Sequence, residues 1–200
     1  TRTVSSAASD VYKRQGSPAT FQTAADNITF ATGNIELADG SNLTVDTGAT
    51  GGNIIIGEIG GTSVETVTLD AGTGTTSVGV IGSGTEIGTL SIGSAENGGI
   101  TLNGAITTDG VVTIDGPITL ATAAITITTA DDNINLQGTV DGGKALTLVS
   151  GSGAVNVDGA IGGSTALTSL TVNSSGAGTI EIANIGTSSA TGVAGATAIG

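Results

Sequence analysis

From about Phe21 onward the chain repeats one small pattern: an aliphatic residue, one residue that is usually polar, a second aliphatic, then a turn rich in Gly, Asp, Asn and Ser. Ile28-Thr29-Phe30, Leu43-Thr44-Val45, Val78-Gly79-Val80, Leu90-Ser91-Ile92, Leu170-Thr171-Val172 and Ile180-Glu181-Ile182 are members of a series of sixteen such triplets. Alternation with a period of two sends the outer members to one face of a strand and the centre to the other. Nine of the sixteen centres are Thr and only Ile55 is aliphatic, so each triplet predicts a short strand with one dry and one wet side. Strand starts recur about every ten residues, too closely for a helix to intervene. Gly-Gly, Asp-Gly, Asn-Gly and Gly-Ser-Gly supply positive φ at the turns.

A longer period lies over the short one. Residues 133–172 repeat residues 53–92 at an offset of 79 or 80: Asn133-Ile134 answers Asn53-Ile54, Leu148 answers Leu69, Gly151 and Gly153 answer Gly72 and Gly74. Ile161-Gly162 answers Ile81-Gly82, and Leu167, Leu170 and Val172 answer Ile87, Leu90 and Ile92. Repetition at a fixed period points to stacked units. Two all-β architectures accommodate it, a tandem of β-sandwiches or a β-solenoid. Sandwich strands run longer than three residues and their cores recruit bulky aromatics, whereas beyond Phe30 this chain has none. The expected fold is therefore an all-β, parallel β-helix, with roughly 20–30 residues per turn and three or four turns per repeat. Ile134, Leu136, Leu146, Leu148, Leu170 and Val172 should point inward, and Asn135, Thr147 and Thr171 outward. Residues 16–200 read as a single solenoid with repeat copies at about 53–132 and 133–200.

Composition narrows the function more than the fold. There is no Cys, His, Met or Trp, and the net charge is −13. Arg2, Lys13 and Arg14 lie in the first fifteen residues, and beyond them Lys144 is the only cation against sixteen acids. Such a body is repelled by phosphate backbones and anionic lipid, so nucleic acid is not an expected partner. No run of eighteen apolar residues exists, and membrane insertion of this segment is not expected. Residues 1–15 disagree with the rest in charge and pattern. The run DVYKRQ resembles an adaptor-derived peptide translated at the ends of metagenomic reading frames, and a disordered leader is the alternative. The absence of an initial Met and of a signal peptide suggests an excerpt from a longer protein.

Without His or Cys, the usual catalytic triads and zinc sites have no members. Carboxylates remain. Asp109 and Asp115 flank one strand, and clustered acids of that kind would serve a polysaccharide-cleaving β-helix, but Lys144 is the sole cation available to hold an acidic sugar. Asp131 and Asp132, with Asp141 a turn later, are the candidate calcium ligands, although no EF-hand loop or Gly-Gly-x-Gly-x-Asp nonapeptide accompanies them. Turn residues that favour αL geometry explain the same acids. No other cofactor is expected. Gly82-Ser83-Gly84 and Gly151-Ser152-Gly153 precede strands, not helices, and so lack the phosphate-binding helix N-terminus. Thr66-Val67-Thr68 and Thr126-Ile127-Thr128 fit an ice-binding ladder locally, but β-branched Thr suits any exposed strand. Asn27, Asn42 and Asn173 begin glycosylation sequons of the kind Thr-rich turns generate by chance.

The phrases GTVDGGKALTLVSGSGAVNVDGAIGGSTALTSLTV and GGITLNGAITTDGVVTIDGPITL resemble the β-strand repeats of large bacterial surface proteins, such as filamentous haemagglutinin and autotransporter adhesin passengers. The likeness covers most of residues 25–185. It implies a right-handed parallel β-helix, export to the cell surface and a shaft-like or adhesive role, with host or surface ligands held by other parts of the protein. It brings no catalytic residues, and no enzyme activity is expected.

Overall fold

The computed structural model describes residues 13–15, 18–93, 98–122, 124–175, 178–187 and 192–200. Each of the twenty strands pairs in parallel with strands about one turn away in the chain, and among the described residues there is no helix. The result is a β-solenoid of about seven turns. A parallel ladder running the length of the molecule excludes the sandwich alternative, whose strands would pair antiparallel within separate domains.

Three columns of strands form three faces. Face 1 stacks β2 (Ala19–Gln22), β4 (Leu43–Asp46), β6 (Thr66–Asp70), β8 (Thr89–Gly93), β11 (Val112–Asp115) and β14 (Ile134–Leu136), then the starts of β17 (Val155–Ile161) and β19 (Ile180–Ile185). Face 2 begins with the first halves of β3 (Ile28–Leu37), β5 (Ile54–Gly60) and β7 (Thr75–Ile81). It continues through β9 (Gly99–Leu102), β12 (Ile118–Leu120) and β15 (Val140–Asp141) to the ends of β17 and β19. Face 3 starts at β1 (Lys13–Gln15), which pairs with residues 35–37 although it lies within the charged leader. It takes the second halves of β3, β5 and β7, then β10 (Ile106–Thr108), β13 (Ala124–Thr129), β16 (Ala145–Val149), β18 (Ser169–Asn173) and β20 (Thr197–Ile199).

The triplets explain why the stack holds. On face 1, Leu43 lies opposite Val67, Val67 opposite Leu90, Leu90 opposite Val112 and Val112 opposite Ile134. All five are buried, as are the corresponding aliphatics two residues later. Each inward side chain is thus covered above and below by its own kind, and burying one contributes about 1.5–3 kcal/mol. The six residues expected inward from the second repeat copy are all buried, and Asn135, Thr147 and Thr171 occupy the outward positions between them. The step from one turn to the next varies from 18 residues (Ile100 to Ile118) to 27 (Leu170 to Thr197), the difference being absorbed in corner loops.

Two readings needed correction. Val78-Gly79-Val80 lies within β7 but does not place both outer members inward: Val78 is buried, Val80 is 39% exposed, and the strand bends at Gly79 between faces 2 and 3. A Cβ there would lie 1.9 Å from the carbonyl oxygen of Gly57 on the turn below, so only Gly lets the two corners nest. Ile180 and Ile182 hold inward positions but are only half buried, because they belong to the last turn. The pattern also passed over a set of single buried aliphatics, Ile59, Ile81, Ile87, Ile106, Val140, Ile161 and Leu167. These serve short sides and loops that need one inward residue, and one residue leaves no alternation to detect.

The two repeat copies keep their local shape and change faces. Ile54 opens on face 2 and Ile134 on face 1; Leu90 lies on face 1 and Leu170 on face 3. The 80-residue period therefore spans three turns and two faces, which leaves the second copy rotated by one face about the axis. Local hydrogen bonds survive the rotation. Asn53 Oδ1 accepts from the Thr75 backbone N–H at 2.9 Å, and Asn133 Oδ1 from that of Ala154 at 2.8 Å. Gly82 N–H donates to Ile59 O and Gly162 N–H to Val140 O, both at 2.7 Å. Gly72 and Gly151 adopt φ of +52° and +56°, left-handed conformations in matching turns.

Candidate functional site

A solenoid of this kind offers three outer faces, the corner loops and two ends. The outward ladder of face 1 runs Thr20, Thr44, Thr68, Ser91, Thr113, Asn135 and Asn156, each opposite the next. On face 3, Thr126, Thr147 and Thr171 stack on successive turns. The Thr ladders thus recur from turn to turn, which the sequence alone did not reveal, because the step between turns is uneven. A second outward position of each turn, where an ice-like lattice would need another hydroxyl, holds Asn42, Thr66, Thr89 and Val111 beside the first ladder and Thr128, Val149 and Asn173 beside the second. A double row of hydroxyls thus extends over two turns only, Thr66 with Thr68 and Thr89 with Ser91, and the ladders are the product of β-branched residues on wet strands.

The carboxylates are spread over corners and faces. Asp131 and Asp132 lie in the exposed corner between faces 3 and 1, and Asp141 lies on face 2. Asp131 and Asp141 each give one carboxylate oxygen to backbone groups one turn on. Asp131 Oδ1 accepts from the Ser152 N–H at 2.9 Å, and Asp141 Oδ1 accepts from the N–H groups of Ser164 and Thr165 at 2.8 Å each. The backbone carbonyl of Asp132 takes the Thr129 hydroxyl at 2.5 Å. Among the described residues no group of three or more Asp and Glu is placed to hold a metal ion. Asp109 is in the corner loop after β10, where its N–H donates to Ile87 O, and Asp115 ends β11 on the outer side of face 1. The sequon residues Asn27 and Asn42 are likewise engaged, accepting from the N–H groups of Asn53 and Thr66 at 2.8 Å.

Polar groups inside the stack were invisible in the pattern. Thr47, Thr108, Thr129 and Ser150 are buried at corners, where each hydroxyl donates to a carbonyl of its own turn, that of Gly52, Gly110, Asp132 or Gly153. Glu65 is also buried, in the loop linking face 3 to face 1. Burial pushes its carboxyl up, but hydrogen bonds from the Thr62 hydroxyl and N–H and from the amides of Glu65 and Val64 outweigh it and hold the group below the usual carboxylate range. Glu86, on the next turn, is lowered by its own backbone N–H and by the Ser63 hydroxyl at 2.9 Å. Ser63 has φ of +79°, a left-handed conformation outside glycine. Lys144 answers Glu65 in the second copy: the Glu65 carbonyl accepts from Thr89 N–H at 2.9 Å, and the Lys144 carbonyl from Thr168 N–H at 3.0 Å. The lone body cation is therefore a loop residue of the repeat.

An open cavity lies at the last turn, lined by Ile180, Ile182, Ala183, Asn184, Ile185 and Ile199. No long apolar helix that could cross a membrane occurs among the described residues. No known protein family, curated protein or solved structure matches the chain.

Proposed function

We propose that the chain is a shaft segment of a large bacterial cell-surface adhesin, working outside the cell as a spacer that carries a binding region elsewhere in the protein. The observation that supports this reading is the allocation of its polar groups. Asn53, Asn133, Asp131 and Asp141 and the buried hydroxyls of Thr47, Thr108, Thr129 and Ser150 are spent on hydrogen bonds between or within turns, and the middle row of face 1 presents the short, uncharged side chains of Thr, Ser and Asn. Each turn contacts only the turns beside it, so length can be added without altering a site. Its principal partners are then neighbouring turns of the same chain, and ligands of the host or surface belong to other parts.

A second reading places adhesion on the solenoid itself, and the face 1 ladder from Thr20 to Thr113 is the surface that would serve it. The two readings separate in one experiment. The 200-residue chain, immobilised at both orientations, is exposed to panels of glycans and matrix proteins, and the flow-through is assayed for new reducing ends. The shaft predicts no saturable binding at micromolar ligand and no cleavage. Saturable binding abolished by Thr68→Lys but not by Thr147→Lys would replace the shaft with an adhesive face, and new reducing ends would replace both with an enzyme.

A further inference from the structure

Residues 61–65, Gly-Thr-Ser-Val-Glu, carry the chain around the corner from β5 to β6 in the middle of the stack. Among the described residues Ser63 is the one non-glycine with a left-handed φ, +79°. Val64 beside it is 58% exposed, whereas Glu65 is buried. An exposed valine next to a buried glutamate inverts the usual preference, so burial of apolar area does not fix this loop. Its own carboxylate does. Thr62 donates its N–H to Glu65 Oε2 at 2.7 Å and its hydroxyl to Oε1, and the amides of Glu65 and Val64 add to them. The loop's amides thus close around one anion, as in a nest. Gly61 leaves the room for it, since a Cβ there would lie 2.5 Å from Oε2 and 2.9 Å from Ile87 Cγ2.

Closed in this way, the loop lies over the buried Ile87 and is tied to the next turn by three backbone bonds. Gly61 N–H donates to Thr85 O at 3.2 Å, Ser63 N–H to Glu86 O at 2.8 Å, and Thr89 N–H to Glu65 O at 2.9 Å. We propose that loop 61–65 is an acid-released latch: protonation of Glu65 opens it, frees these bonds and uncovers Ile87. An ionised carboxylate only accepts, and donors converge on both of its oxygens. A protonated one brings a donor of its own into that ring, so a bond must be given up. The backbone strain at Ser63 then favours release.

The surroundings leave the hydrogen bonds to hold the latch by themselves. The charged groups on the elements packed against the loop are all acids: Glu36 and Asp39 on the turn before, Glu58 on its own strand, Glu86 on the turn after and Asp109 beyond it. Glu86 is itself engaged, accepting from the Ser63 hydroxyl at 2.9 Å. Burial pushes the Glu65 carboxyl up, and the bonds from Thr62, Glu65 and Val64 outweigh it. The closed loop is therefore fully favoured at neutral pH and is lost as pH falls through the lowered folded value. In the second copy Lys144 stands where Glu65 stands in the first, so the latch belongs to this turn and not to the repeat.

The test is amide hydrogen exchange of the full chain, followed residue by residue by NMR from neutral pH down through the carboxylate range and corrected for the intrinsic rate at each pH. The amides of Gly61, Thr62, Ser63 and Thr89 should lose protection about tenfold in acid, while those of β13 and β16 keep theirs. Glu65→Gln puts a donor into the ring at every pH, so its loop should be loose already at neutral pH and should not change further. Thr62→Val keeps the N–H and loses the hydroxyl, and should move the transition to higher pH. Glu86→Gln, whose amide can still accept from Ser63, should leave it in place. Circular dichroism checks that each variant is folded, and if Glu65→Gln is not, the shift in Thr62→Val decides. Loop protection that does not vary with pH, a transition that persists in Glu65→Gln, vanishes in Glu86→Gln or stays put in Thr62→Val, or loss of protection in β13 and β16 together with the loop would each overturn the proposal.

Discussion

Residues 53–92 and 133–172 are nearly the same sentence written on different walls. In the first copy the Gly-x-Gly turn Ala71–Gly74 leads from face 1 to face 2; in the second, Ser150–Gly153 leads from face 3 to face 1. In both, the turn closes with the same bond, Gly74 N–H to Ala71 O at 2.8 Å and Gly153 N–H to Ser150 O at 2.9 Å. Even the isolated bridges correspond, Ile87 to Thr108 and Leu167 to Val193. The sequence therefore specifies a path of strand, corner, strand and loop, and the faces are whatever that path meets. A given segment of the repeat is thus not tied to a given face.

The comparison can be broken most severely by deletion. Removing residues 53–132 puts the second copy where the first one was, rotated by one face from its place in the intact chain. Because the loops agree to within one residue, the shortened chain should fold. Its length by electron microscopy should fall by about 17 Å, the rise of three turns and two faces at ~4.8 Å per turn. A chain that fails to fold would show that faces do have separate identities.

Point changes come next. Leu90→Asp and Leu170→Asp each bury an unpaired carboxylate between aliphatic rungs and should cost on the order of 3–5 kcal/mol in urea unfolding. Ser91→Asp and Thr171→Asp, one residue away and facing out, should stay within about 0.5 kcal/mol. A like loss at inward and outward sites would overturn the strand polarity. A smaller difference separates the copies at a single rung. Thr76 is buried with no partner for its hydroxyl, and the matching residue of the second copy is Val155. Thr76→Val should stabilise by about 1–2 kcal/mol and Val155→Thr should destabilise by about 1–3 kcal/mol. Equal and negligible effects would mean that the hydroxyl finds water.

The mildest difference is one of pH. Glu65 has its carboxyl held below the usual carboxylate range, so the ionised form stabilises the fold fully above that range, and the contribution is lost as pH falls through the lowered folded value. Wild type should therefore melt above Glu65→Gln at pH 7, and the two should converge as pH falls through the lowered folded value.

What could be read in advance follows from the same geometry. Triplets such as Ile134-Asn135-Leu136 declare their faces because three alternating residues suffice to show a dry and a wet side. Ile59 and Val140 declare nothing, since a short side holds one inward residue. Thr76 and Glu65 sit inside against their type, and only contacts across turns reveal it. The rotation of the second copy was hidden for a related reason: an offset of 80 residues fixes how far along the path one has gone, and the uneven steps, 18 to 27 residues, decide where on the circumference that is. The acids of interest fared likewise. Asp131 and Asp141 have partners one turn away that no spacing along the chain could have named.

The parallel ladders have a mechanical consequence. Their hydrogen bonds run along the long axis, so a pull on the two ends is borne by one layer of bonds at a time, spread over three faces. When a layer gives way, one turn leaves the stack while those behind it keep both neighbours. A released turn of 21–24 residues, such as Leu146 to Leu170 or Ile125 to Leu146, extends to roughly 70–85 Å in place of about 4.8 Å. Under sudden load such a stack lengthens in discrete steps and rewinds when slack, one turn at a time.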